Sequence, residues 1–109
     1  MPLLHLLSYL VGGATLANAI PHFVSGMMGR AFQSPFAKPR GEGLSSSLVN
    51  FTWGWSNLVL AYLLLFQVGD FSLKHWIDAG ALGLGMLLIG LPLSVHFGRF
   101  HGGNEPGRP

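Results

Sequence analysis

The sequence predicts an all-α membrane protein: three transmembrane helices with a folded-back cytoplasmic loop. Two observations carry that reading. Three apolar stretches are each long enough to cross about 30 Å of hydrocarbon, which takes roughly 20 helical residues. The charge is also too sparse for a soluble chain, at 9% of 109 residues with 50% hydrophobic, where soluble domains carry about 25%. A short soluble chain must wet most of its surface. Four acids and six bases cannot cover it, and a lipid-facing surface needs no such cover.

The first span runs over residues 3–28, the second over 48–68 and the third over 77–97. Backbone polar groups in lipid must be satisfied internally, so the spans read as helices. No period-two alternation of membrane-barrel length is present. Ser45, Ser46 and Ser47 offer caps for the second helix. Trp53 and Trp55 near its start, and Trp76 at the start of the third, suit the headgroup level. Residues 1–98 form one membrane domain, with an inner loop over 29–47. The tail, 99–109, is expected to be disordered.

Charge sets the orientation. Arg30, Lys38 and Arg40 follow the first span, and Arg99 and Arg108 follow the third. The other side has Lys74 beside Asp70 and Asp78. Short loops rich in Lys and Arg stay in the cytoplasm. The N-terminus is therefore expected outside and the C-terminus inside. Ala17-Asn18-Ala19 after an apolar run has the outline of a cleavage site, but residues 1–16 lack the basic start of a signal peptide.

Each span carries small or polar residues at alternating steps of three and four. The first stripe is His5, Ser8, Gly12, Thr15, Ala19, His22 and Gly26. The second is Asn50, Gly54, Asn57, Ala61 and Leu64. The third is Ala79, Gly83, Met86, Gly90 and Leu93. Small residues let helix backbones approach closely in lipid. Four glycines in the third span (Gly80, Gly83, Gly85 and Gly90) suggest two packing faces, one within the subunit and one to a partner.

The polar residues gather at the inner end. Asn18 and His22 end the first helix, Asn50 and Asn57 begin the second, and His96 lies near the end of the third. Pro21 cannot donate to the Ala17 carbonyl, and Pro92 bends the third helix in the same way. The residues have two readings. They bridge helices as packing partners, or they form a solute site, since polar groups near hydrocarbon are costly to keep. In the solute reading Asn18, His22, Asn50, Asn57 and His96 form the site, with Arg30 and Gln33 closing its mouth. Phe32, Gln33, Pro35 and Phe36 are expected to fold under the bundle as a lid, with the Gln33 amide serving Asn18 and His22.

Several classes are disfavoured. There is no cysteine, so thiolate catalysis and Cys-ligated metals are excluded. His22 and His96 could supply axial imidazoles to a haem, yet no supporting ligand pattern accompanies them, and no metal or cofactor is expected. No Ser-His-Asp or paired-carboxylate arrangement is readable, so no catalytic residue is assigned. A formal charge of +2 gives no argument for nucleic acid.

The run N-A-I-P-H-F-V-S-G-M-M-G-R-A-F-Q-S-P-F, with the later L-V-N-F-T-W-G and G-G-N-E-P, resembles a group of uncharacterised small bacterial three-helix membrane proteins. The resemblance covers the spans and the inner loop. It implies a small protein of the bacterial inner membrane and carries no activity, substrate or catalytic residue. The expected function is an oligomeric or accessory subunit of a membrane assembly, in contact with lipid and with itself or another membrane protein. The alternative is a carrier or channel for a small polar or anionic solute.

Overall fold

The computed structural model describes residues 2–108. It is mostly helical. Helix α1 spans Pro2–Met27, a two-residue strand β1 spans Phe32–Gln33, and β2 spans Leu44–Ser45. Helix α2 spans Ser47–Tyr62 and continues as a π-helical segment, Leu63–Val68, before helix α3 at Trp76–His101. Three helices are long and apolar enough to cross a membrane: Pro2–Met27, Ser47–Val68 and Trp76–His101.

The helix ends follow local chemistry. Gly29 takes φ 72°. The Gly29 amide then donates to the Gly26 carbonyl and the Arg30 amide to that of Ser25, the paired closure that a left-handed glycine makes possible. Ser46 caps α2, its hydroxyl accepting from the Val49 amide at 3.2 Å. At the far end of α3, Gly102 takes the left-handed cap. The helix therefore runs to His101, and residues 102–108 turn back with the Asn104 side-chain Nδ2 donating to the Val95 carbonyl at 2.9 Å.

The three helices do not close on one another equally. Helix α1 is central and packs against both α2 and α3, while α2 and α3 make at most a marginal contact. Glycines set both crossings. A Cβ on Gly26 would strike the Phe51 backbone, and one on Gly54 would strike that of Phe23. At the other crossing, a Cβ on Gly13 would meet the Leu82 carbonyl and one on Gly85 the Leu10 carbonyl. Both contacts are backbone to backbone, which only glycine permits.

Most of the α1 and α2 stripes is buried: Ser8, Gly12, Thr15, Ala19 and His22 on α1, joined by Tyr9 and Gly13, and Asn50, Gly54, Asn57 and Ala61 on α2; His5 and Gly26, at the ends of the first stripe, are only partly buried. Leu65 rather than Leu64 then continues the second stripe. The step from Ala61 to Leu65 is four residues, like that from Asn50 to Gly54. Helix α3 behaves differently. Its buried residues are Gly85 and Gly98, and a Cβ added to Gly80, Gly83 or Gly90 meets nothing within 4 Å.

At the opposite end, Tyr9 is 2% exposed and its hydroxyl accepts from the Asp70 amide at 2.9 Å. Phe71 packs edge-on to the same ring. That bond ties the α2–α3 turn to the start of α1.

Candidate functional site

The C-terminal end of α1, the N-terminal end of α2 and the C-terminal end of α3 share one side of the molecule, and the β1–β2 hairpin folds against them. The hairpin pairs Phe32 with Ser45 and Gln33 with Leu44. Ser34, 1% exposed, organises its turn. Its carbonyl accepts from the Ala37 and Gly41 amides, and its hydroxyl pairs with that of Ser45 at 2.6 Å while accepting from the Phe36 amide.

Asn50 is the centre of the arrangement and is fully buried. Its Nδ2 donates towards the carbonyls of Phe32, Ser45 and Ser46, each at 3.1 Å. Carbonyls only accept, so the amide orientation is fixed and Oδ1 faces the other way. That oxygen lies 2.7 Å from His22 Nδ1, so His22 carries its proton on Nδ1 and donates it to Asn50. The imidazole packs against the Phe32 and Phe97 rings, each edge-on to it, and those two rings touch each other with centroids 4.7 Å apart. One helical turn deeper, Asn18 Nδ2 donates to Asn57 Oδ1 at 3.2 Å, and Asn57 Nδ2 donates to the Trp53 carbonyl at 2.8 Å.

The remaining candidates serve α3. His96 donates through Nε2 to the Gly41 carbonyl at 2.6 Å. Gln33 is 5% exposed and accepts from His101 Nε2 at 2.7 Å, not from Asn18 or His22. The His101 ring stacks on Phe32, with centroids 4.8 Å apart and planes 7° from parallel. Arg99 and Glu42 face each other at 3.9 Å. Arg30 is exposed and takes no part. Phe36, 61% exposed, packs edge-on to Trp53 and so covers the outside of α2, not the imidazole.

The structure thus brings Asn18 together with Asn57, and His22 with Asn50, while Gln33 pairs with His101 and His96 bonds separately to the Gly41 carbonyl. Phe97, Ser34 and His101 were not among the expected site residues. Ser34-Pro35 is a turn signal, and Gly102-Gly103 marks a helix end just past His101.

Chemically, the cluster is a set of neutral donors and acceptors satisfied by one another. Among the described residues, no carboxylate or guanidinium is hydrogen-bonded to Asn18, His22, Asn50 or Asn57. Among the described residues, no group of three or more His, Asp or Glu is placed to hold a metal ion. None of the four main surface hollows takes a wall from Asn18, His22, Asn50, Asn57 or His96. The arrangement can clasp helix ends. The hairpin is bonded to α2 through Asn50, packs on α1 through the Phe32–His22 contact, and is bonded to α3 through His96 and His101. It therefore holds two helices that barely touch directly. In comparisons with protein-family models, curated proteins and solved structures, nothing matches this chain.

Proposed function

We propose that the protein is a three-pass component of the bacterial inner membrane that works as an oligomer or as an accessory subunit of a larger membrane assembly. The N-terminus lies outside. The hairpin and C-terminus lie in the cytoplasm, where five Lys and Arg residues gather against one at the other end. The observation that carries the assembly reading is the free face of α3. Helices in lipid associate by close packing at small residues. Gly13 and Gly85 consume one such contact, and Gly80 and Gly83 open on the other side with nothing against them. Leu87 and Leu84 flank that opening and are half exposed. The Asn and His residues then act as clasps that fix the helix ends. The carrier alternative needs them to line a passage, and their mutual pairing favours the clasp.

Cross-linking in native membranes tests the reading. The wild-type chain is expected to give a discrete higher-mass species, either with itself or with one co-purifying partner. Gly83→Leu fills the open face without touching the subunit's own packing and is expected to remove that species. A lone monomer in mild detergent with no cross-link in membranes would sink the proposal.

A further inference from the structure

Between α1 and α3, on the hairpin side, runs a groove of about 550 Å³, within the roughly 300–1,000 Å³ of small-molecule sites. Its walls are Ala17 and Pro21 of α1 and Met86, Leu93 and Phe97 of α3, with Phe32 at the hairpin end. Gly90 gives it depth, since it places no side chain there and a Cβ on it would meet nothing within 4 Å. From Met86 to Gly98 the groove follows α3 for about 18 Å at 1.5 Å per residue. That is close to half of a hydrocarbon core about 30 Å thick. The groove therefore covers one leaflet, from near mid-membrane to the headgroup level.

At Gly98 it adjoins a second hollow of about 360 Å³, lined by Arg99, Asn104, Glu105 and Arg108 with Gly102. Here the chemistry changes from apolar to cationic. Glu105 holds Arg108 Nε at 2.8 Å, and Glu42 lies 3.9 Å from Arg99. Each guanidinium has five donors, so both keep donors free for a further oxygen anion. Arg30, Lys38 and Arg40 stand at the same end, so five cationic groups face the two carboxylates Glu42 and Glu105 there.

We propose that this pair of hollows is a binding site for one anionic phospholipid, an acyl chain lying in the α1–α3 groove and the phosphate meeting Arg99 and Arg108. The chain-length groove selects an amphiphile, and the basic hollow selects its charge. The site rests on the membrane placement above and not on the assembly reading. Gly80 and Gly83 lie in the other half of α3.

Native mass spectrometry of the full chain is the test, after release from micelles holding equal dioleoyl phosphatidylglycerol and dioleoyl phosphatidylcholine. One phosphatidylglycerol per protomer is expected to survive release. Its preference over phosphatidylcholine should be about fivefold for each arginine engaged. Gly90→Leu is expected to abolish retention, because its side chain enters the groove where no neighbour lies within 4 Å. Should that variant fail to fold, Ser94→Leu fills the same groove from an exposed position. Arg99→Gln with Arg108→Gln is expected to keep a lipid and lose the preference. Equal retention of the two lipids by the wild type overturns the proposal, as does wild-type retention in a folded groove-filling variant. Stabilisation of lipid-free protein by inorganic phosphate would assign the hollow to a free anion and overturn it too. Cross-linking of the variant carrying Arg99→Gln with Arg108→Gln should match wild type, which separates this result from the fate of the assembly reading.

Discussion

Replacing Asn50 is the most informative perturbation of the clasp. Asn50→Ala removes one acceptor, used by His22, and one amide nitrogen shared among three carbonyls. Two N–H donors and one acceptor make three full bonds; at the average of about 0.6 kcal/mol for hydrogen bonds between membrane helices they give a lower figure near 1.8 kcal/mol. At about 1 kcal/mol for each bond in a buried aqueous-type setting, the upper figure is near 3 kcal/mol. The expected loss is therefore about 2–3 kcal/mol, read by denaturing-detergent titration in mixed micelles with tryptophan fluorescence. Asn50→Asp separates the donor from the acceptor. It still accepts from His22 Nδ1 but turns a carboxylate oxygen towards three carbonyls, so it should be at least as damaging as alanine. The hairpin should open at the same time, with trypsin cutting after Arg40 at least about tenfold faster for each 1.4 kcal/mol lost locally. A loss under about 0.6 kcal/mol, the average of a single such bond, would refute the clasp. So would an Asn50→Asp variant as stable as wild type.

Other outcomes follow from individual contacts. Gly85→Ala should destabilise by about 1–3 kcal/mol through overpacking against the Leu10 carbonyl, whereas Gly83→Ala should be neutral or gain up to about 1 kcal/mol of helix propensity; equal effects in the same detergent titration would contradict the α1–α3 crossing. Tyr9→Phe should cost about 1 kcal/mol and speed hydrogen exchange of the Asp70 amide specifically, and unchanged exchange there would count against the Tyr9–Asp70 bond. A reporter fused after residue 109 should behave as cytoplasmic in a bacterial host, and a periplasmic signal would reverse the orientation. His101→Ala should release Gln33 while leaving His22–Asn50 intact, visible as loss of the His101 imidazole N–H resonance and retention of that of His22; loss of the His22 resonance as well would mean the two groups are not separable.

Much of the helix packing was legible in residue spacing, because a buried face in lipid needs small side chains and those recur with helical period. That held for α1 and α2, whose stripes from Ser8 to His22 and from Asn50 to Ala61 are the buried faces. It could not choose Leu65 over Leu64, since steps of four and three from Ala61 are both helical, nor reveal the π-helical segment, since nothing in L-L-L-F-Q-V distinguishes it from an α-helix. The third stripe failed for a different reason. Glycines lie at residues 80, 83, 85 and 90, so more than one small-residue face can be drawn on α3. Spacing cannot choose among them. The crossing with Gly13 chose Gly85, which leaves Gly83 and Gly90 unpacked within the subunit.

The hairpin was legible as a segment that folds back, and its partners were not. Gln33 was the nearest uncommitted amide to His22 along the chain, which made it the natural expected partner. Adjacent residues of an extended segment point to opposite faces. Phe32 is the one that meets His22, so Gln33 is turned away from it, towards the end of α3. Asn50 is better placed, because a residue in the first turn of α2 reaches the hairpin carbonyls with its Nδ2 and α1 with its Oδ1. The partner Gln33 then finds, His101, lay beyond the apolar run that marked the end of the third span. An apolar run measures how far a helix is greasy, not how far it is helical. The helix continues until Gly102 adopts a left-handed cap at φ 78°, one turn past the last long apolar stretch. That extra turn carries Arg99 and His101, whose contacts with Glu42 and Gln33 add to the His96–Gly41 bond in joining the hairpin to α3.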